Sequence, residues 1–194
     1  MKSLDFLLSP LRWWRVKHPA VHLLNWVVPT TLSAMVTTAL LWPASKANVF
    51  GELGVIHQAN GLLQILAGFY IASLAAIATF NKPGLDDIMK ADPPKIYRNK
   101  QHPADPLTRR RFLCLLFGYL SFASIMLYIV GAAAMIIAPT ASAAFTEAQV
   151  FVGRGVFVAA FAFFFSHLLA ATILGIHYMA IQIQQDEVKT GFES

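Results

Sequence analysis

The chain has 194 residues, of which 57% are hydrophobic and only 13% are charged, and its formal net charge is +5. A soluble domain has about 25% charged residues, so this composition excludes an ordinary water-exposed surface and favours a membrane protein. Four stretches are apolar enough to cross a bilayer, which takes about 20 residues as a helix. We therefore predict an all-α integral membrane protein with a single domain over residues 1–194.

The N-terminal segment KSLDFLLSPLRWWRVK, residues 2–17, is too short and too charged to span a membrane. Its leucines recur at helical spacing beside a cluster of aromatic and basic residues, which is typical of a helix that lies among lipid headgroups. We predict an amphipathic interfacial helix over 2–17, interrupted near Pro10. Its membrane-surface anchors would be Arg12, Trp13, Trp14, Arg15 and Lys17.

The four apolar stretches predict membrane-spanning helices over residues 23–42, 56–80, 112–138 and 150–181, followed by a polar tail over 182–194. The third stretch has no charged residue and the fourth has only Arg154. Such stretches are not plausible core helices of a soluble protein. We expect the four spans to pack as a four-helix bundle.

The second predicted span carries polar and small residues on one side. On a helix, His57, Asn60 and Gln64 share a face with Gly61 and Gly68, and bulky apolar residues lie opposite. Because polar atoms in hydrocarbon must meet protein or water, this face is expected to point into the bundle or at another subunit. Packing is the simpler interpretation, and the alternative is a polar vestibule.

A long segment, NKPGLDDIMKADPPKIYRNKQHPADPLTRRR, separates the second and third spans over residues 81–111. Its five prolines prevent a continuous helix, and its length far exceeds the 2 to 8 residues that usually connect neighbouring helices in bundles. It has eight basic and four acidic residues, which suits a surface that docks a protein or contacts anionic lipid headgroups. Two simpler alternatives have the same composition: basic residues that only fix the membrane topology, or a solvated linker. The candidate docking residues are Lys95, Arg98, Lys100, Arg109, Arg110 and Arg111.

Basic residues are distributed unequally between the two sides of the predicted spans. Thirteen of the fifteen Lys and Arg residues lie in the N-terminal segment, the segment 81–111 or the tail, whereas Lys46 and Arg154 lie on the opposite side. Since Lys and Arg are enriched in cytoplasmic segments, both termini and the segment 81–111 are predicted to be cytoplasmic.

The fourth span places His167 near the middle of the bilayer. An ionisable group at this depth is a functional candidate, and a histidine that hydrogen-bonds across a helix interface is the structural alternative. His22 and His177 both lie near the inner ends of their spans, but one such pair does not make the pattern of a two-haem cytochrome. The chain has no nucleophile, phosphate-binding or metal-ligand motif, so we expect no enzymatic activity, no metal and no cofactor.

The layout of four spans with both ends inside and the loop NKPGLDDIMKADPPKIYRNKQHPADPLTRRR between the second and third resembles the membrane subunit of the Kiwa bacterial antiphage defence system. The resemblance covers most of the chain and rests on this layout. It implies a multi-pass sensor of the bacterial inner membrane that forms a homo-oligomer, a tetramer in that family. It also implies a cytoplasmic DNA-binding effector docked on the loop, without direct binding of nucleic acid by this chain.

Two other classes of function are compatible with the sequence. A pore-forming, holin-like effector would use the polar face of the second span to line a channel. A haem-binding membrane redox protein would use a pair of histidines as axial ligands.

Overall fold

The computed structural model of the chain describes residues 13, 16–17, 23–42, 47–79, 85–86, 95–96 and 105–179. The long elements of this part are α-helices, as predicted, and we number them α1 (Val28–Leu41), α2 (Val55–Thr79), α3 (Arg109–Ala144) and α4 (Glu147–His177). A π-helical segment, Leu23–Val27, leads directly into α1. By length and composition, α2, α3 and α4 are able to cross a membrane, which agrees with the prediction of a membrane protein. The first predicted span, 23–42, is not among them, since α1 has 14 residues and is preceded by the π-helical segment.

Local side-chain chemistry sets the bounds of the hairpin formed by α3 and α4. Helix α3 begins at Arg109, where the hydroxyl of Thr108 accepts a hydrogen bond from the backbone N–H of Arg111 (3.3 Å). It continues through Pro139, beyond the predicted end of the third span. Only Phe145 and Thr146 join α3 to α4, and the side chain of Gln149 accepts a hydrogen bond from the backbone N–H of Thr146 (3.1 Å).

The helices pack in two pairs. Helix α2 packs most extensively on α3, helix α1 packs on α4, and the α3–α4 contact joins the pairs. Among the described residues, α1 and α2 make at most marginal contact with each other. Ser33 connects α1 to α4 by donating a hydrogen bond to the backbone carbonyl of Ala159 (2.7 Å). A closed four-helix bundle remains a prediction.

Three two-residue strands form a small antiparallel sheet that was not predicted: β1 (Val16–Lys17), β2 (Lys95–Ile96) and β3 (Asp105–Pro106). Strand β2 is central, and it pairs with β1 and with β3. The prediction of a helix over 2–17 is therefore wrong at Val16 and Lys17, because the backbone there is extended and bonded to β2. The other residues of that predicted helix, Trp13 excepted, lie outside the described residues.

Candidate functional site at the basic end of the helices

We define the basic end as Leu85, Asp86, the three strands, and residues 107–120 and 167–179 of α3, α4 and their flanks. Here the segment 81–111 is attached to the helices by its own backbone. The N–H of Arg110 donates to the carbonyl of Leu85 (2.8 Å), and the side chains of Leu85 and Leu107 are buried. The sheet adds a third attachment, because β2 lies within the segment. The segment therefore has fixed points near both of its ends and near its middle.

Arg110 forms a clamp between the end of α2 and the start of α3. Its Nε donates to Oδ1 of Asp86 (2.8 Å) and its Nη2 donates to Oδ2 (3.1 Å), while its Nη1 donates to the backbone carbonyl of Ile77 (3.0 Å). This two-pronged geometry is specific to the planar guanidinium group. Arg110, predicted as a docking residue, is thus engaged within the chain, where it positions the segment.

The other predicted docking residues differ in their surroundings. Arg111, next to the clamp, is exposed, whereas Arg109 is half-buried. Lys95 lies in the central strand of the sheet, and Arg98 and Lys100 lie outside the described residues. Arg111 is therefore an exposed cation at the start of α3 that a partner could contact.

Trp13 connects the N-terminal segment to α3. Its side chain is 0% exposed, and its ring lies 5.5 Å from that of Phe112 and 6.4 Å from that of Tyr119, between ring centroids. This corrects the predicted position of Trp13 among lipid headgroups, because protein encloses the ring. Of the other predicted anchors, Lys17 lies in β1, and Arg12, Trp14 and Arg15 are outside the described residues.

The residues of the polar face predicted on α2 do not all have the same surroundings. Asn60 is buried against Gly131 of α3, where a Cβ atom would overlap its carboxamide, whereas His57 and Gln64 are exposed and face away from the other helices. Of the two alternatives predicted for this face, burial inside the chain therefore applies to Asn60, and contact with another subunit stays a prediction for His57 and Gln64. The buried side of α2 carries mainly large side chains, and Gly131 leaves room there for the carboxamide of Asn60.

His167, the other predicted intramembrane polar residue, lies on α4 and not on the polar face of α2. It is 1% exposed, its ring meets Tyr119 edge-on at 5.6 Å, and it lies against the backbone of Asn25 in the π-helical segment. Since Tyr119 also contacts Trp13, a chain of three rings links the N-terminal segment to the interior of α4. The structure places His167 at a helix interface, and both its functional and its structural interpretation stay predictions.

Sequence reasoning missed a hydrogen bond between α2 and α4. Thr172 donates its hydroxyl hydrogen to the carbonyl of Leu168 (2.6 Å), so its oxygen is the acceptor for the hydroxyl of Tyr70. Both side chains are buried. Residues 102 positions apart in the chain have no local pattern that would reveal this contact.

No group of three metal-ligating side chains occurs within the residues that the structure describes. Of the histidine pair considered for haem, His177 is exposed and His22 is not among the described residues. Comparisons with protein-family models, with curated proteins and with solved structures find no match to this chain.

Proposed function

We propose that the chain is a membrane-embedded scaffold that holds a cytoplasmic protein at its basic end. The Arg110–Asp86 clamp carries this proposal, because it fixes a long, proline-rich segment whose composition alone would leave it free. A segment that is already held in place loses less conformational entropy when a partner binds. The clamp therefore favours a docking surface over a solvated linker.

The charge of the segment indicates the chemistry of the partner. Eight basic residues exceed four acidic ones, and the exposed Arg111 stands beside the clamp. An acidic patch on a cytoplasmic protein would complement this surface. The resemblance to the Kiwa membrane subunit extends the proposal: the partner is a DNA-binding effector, and the chain is a bacterial inner-membrane sensor that regulates it when phage perturbs the membrane.

Self-association through α2 belongs to the same proposal. His57 and Gln64 are exposed on a helix that is apolar enough to span a membrane, and Gly61 and Gly68 beside them have no neighbouring atom within 4 Å of a Cβ position. A carboxamide that faces lipid lacks hydrogen-bond partners, whereas a second copy would supply them and pack closely on the glycines. We propose that this face forms the contact of a homo-oligomer, with a tetramer as the expected state.

The docking surface is tested by co-purification with the product of a neighbouring reading frame that encodes a DNA-binding protein. Replacement of Arg109, Arg110 and Arg111 by Gln is expected to release that partner from membranes, and Arg111→Gln alone is expected to weaken its retention. Lys46→Gln is the control for loss of a single charge, since Lys46 is predicted to lie on the opposite side of the membrane. Full retention by the triple variant, with insertion verified, would refute this docking site.

The exposed polar side of α2 also favours a second candidate, a pore lined by His57 and Gln64 of several copies. In that case expression of the chain alone should depolarise cells, and Gln64→Leu should abolish the effect. A scaffold expressed alone should leave the membrane potential unchanged, so a voltage-sensitive dye separates the two candidates.

A further inference from the structure

The hairpin end comprises residues 47–54, the Phe145–Thr146 turn, and the adjoining halves of α3 and α4. An open groove separates the two helices there. It consists of two cavities of 890 and 340 Å³ that share Val130 and Phe157 as a common wall. These volumes lie in the range of about 300 to 1,000 Å³ that is usual for ligand sites. The walls are almost entirely apolar, and Ile137 and Val150 are typical of them.

Arg154 is the cation that lines this groove. Its Nη2 donates to the backbone carbonyl of Ala47 (3.1 Å), but its Nε is buried and has no hydrogen-bond partner. Within the described residues, no carboxylate forms an ion pair with Arg154. A partly buried guanidinium without a countercharge is unfavourable, so the site is complementary to an anion.

The position of Arg154 along α4 lets its side chain extend to the level of lipid phosphates. Helix α4 has 31 residues and is therefore about 46 Å long, so a centred, upright α4 would extend about 8 Å beyond each side of a hydrocarbon core of about 30 Å. Arg154 lies about 10 Å from the start of α4, close to the boundary of the core. The groove continues from there to Phe164, about 15 Å further, which is half the thickness of the core.

We propose that this groove binds one anionic phospholipid, with its phosphate on Arg154 and an acyl chain between α3 and α4. A second copy of the chain would have to bring Glu52 or Glu147 to Arg154, because the four apolar stretches contain no Asp or Glu. A lipid supplies both an anion at the correct depth and an apolar chain below it. The inference does not depend on docking at the basic end.

Native mass spectrometry of the full-length chain, purified in neutral detergent and stripped of lipid, tests this site. Phosphatidylglycerol and phosphatidylcholine with the same acyl chains serve as probes. We expect the chain to retain one phosphatidylglycerol about five- to tenfold more strongly than phosphatidylcholine. Arg154→Gln should abolish this preference. Arg154→Lys should keep part of it, because an ammonium group retains the positive charge but lacks the planar guanidinium geometry that binds a phosphate with two hydrogen bonds.

A second pair of variants tests the groove itself. Ala133→Phe places a ring in the larger cavity and should reduce retention of both lipids, whereas Ala39→Phe on the exposed side of α1 should not. Equal preference for the two lipids in the unmodified chain, or unchanged retention in Arg154→Gln or in Ala133→Phe, would overturn the proposal. So would an Ala133→Phe variant that changes the oligomeric mass and leaves lipid retention intact, since a second copy would then occupy the groove.

Discussion

The two ends of the α3–α4 hairpin differ in how closely α3 and α4 pack against each other. At the basic end, Gly175 lets α4 approach Leu116 and Phe117, and the rings of Phe112 and Tyr178 lie 4.9 Å apart. Trp13, from a distant part of the chain, completes this packing. At the hairpin end the same helices diverge around the groove, although a two-residue turn joins them. Helices that are adjacent in sequence pack closely only where side chains fill the space between them.

One end of the hairpin is fixed and the other is open. At the basic end, aromatic packing and the Arg110 clamp hold the segment 81–111 against the helices. At the hairpin end, α3 is held on its other side by α2, through the contact between Asn60 and Gly131. Protein fills the first end, and the proposed lipid fills the second.

The largest expected effect distinguishes the two ends directly. Trp13→Ala removes a fully buried ring and should destabilise the folded state by about 3 to 5 kcal/mol. Phe145→Ala, at the hairpin end, removes a ring that is 60% exposed and should cost much less. Unfolding in mixed micelles measures both free energies. Equal losses would show that the ends do not differ in packing.

A smaller effect is expected where α2 holds the open half of α3. Gly131→Ala forces its methyl group against the carboxamide of Asn60 and should cost about 1 to 3 kcal/mol. Gly118→Ala is the matched control, since no atom lies within 4 Å of its Cβ position. The double variant Asn60→Ala/Gly131→Ala should recover part of the loss. Additive effects in this mutant cycle would argue against the contact.

The hydrogen bond between α2 and α4 should contribute less. Tyr70→Phe deletes the donor and leaves Thr172 bonded to Leu168, so the expected loss is about 0.6 kcal/mol, as for other hydrogen bonds between membrane helices. Thr172→Val should cost more, about 1 to 3 kcal/mol, because it leaves the buried hydroxyl of Tyr70 without its hydrogen-bond partner. A loss confined to one of them would indicate that the pair does not act as a unit.

The most local effect is expected at the clamp. Arg110→Gln removes both bonds to Asp86 and should speed hydrogen exchange at the start of α3 without changing exchange at the Thr146 turn. Arg111→Gln, at the exposed neighbour, should leave both regions unchanged. Hydrogen exchange measured by mass spectrometry compares the two variants. Identical exchange profiles would contradict the role of Arg110 in positioning the segment 81–111.

The amino-acid sequence by itself determined the helical class and the capacity to cross a membrane, because hydrophobic length is a local property of the chain. It also identified Asn60, His167 and the basic segment as unusual. The π-helical entry to α1 and the passage of α3 through Pro139 were not visible in it. Such details depend on neighbouring helices that satisfy or exclude backbone groups.

Tertiary structure alone decided which of the unusual residues face one another. Helical periodicity places His57, Asn60 and Gln64 on one side of α2, but it cannot tell which side meets α3. That choice came from Gly131, 71 positions away, and from the large side chains that pack beside it. Likewise, Asp86 became the partner of Arg110, and Trp13 became a core residue, because contacts between distant segments depend on how the helices assemble.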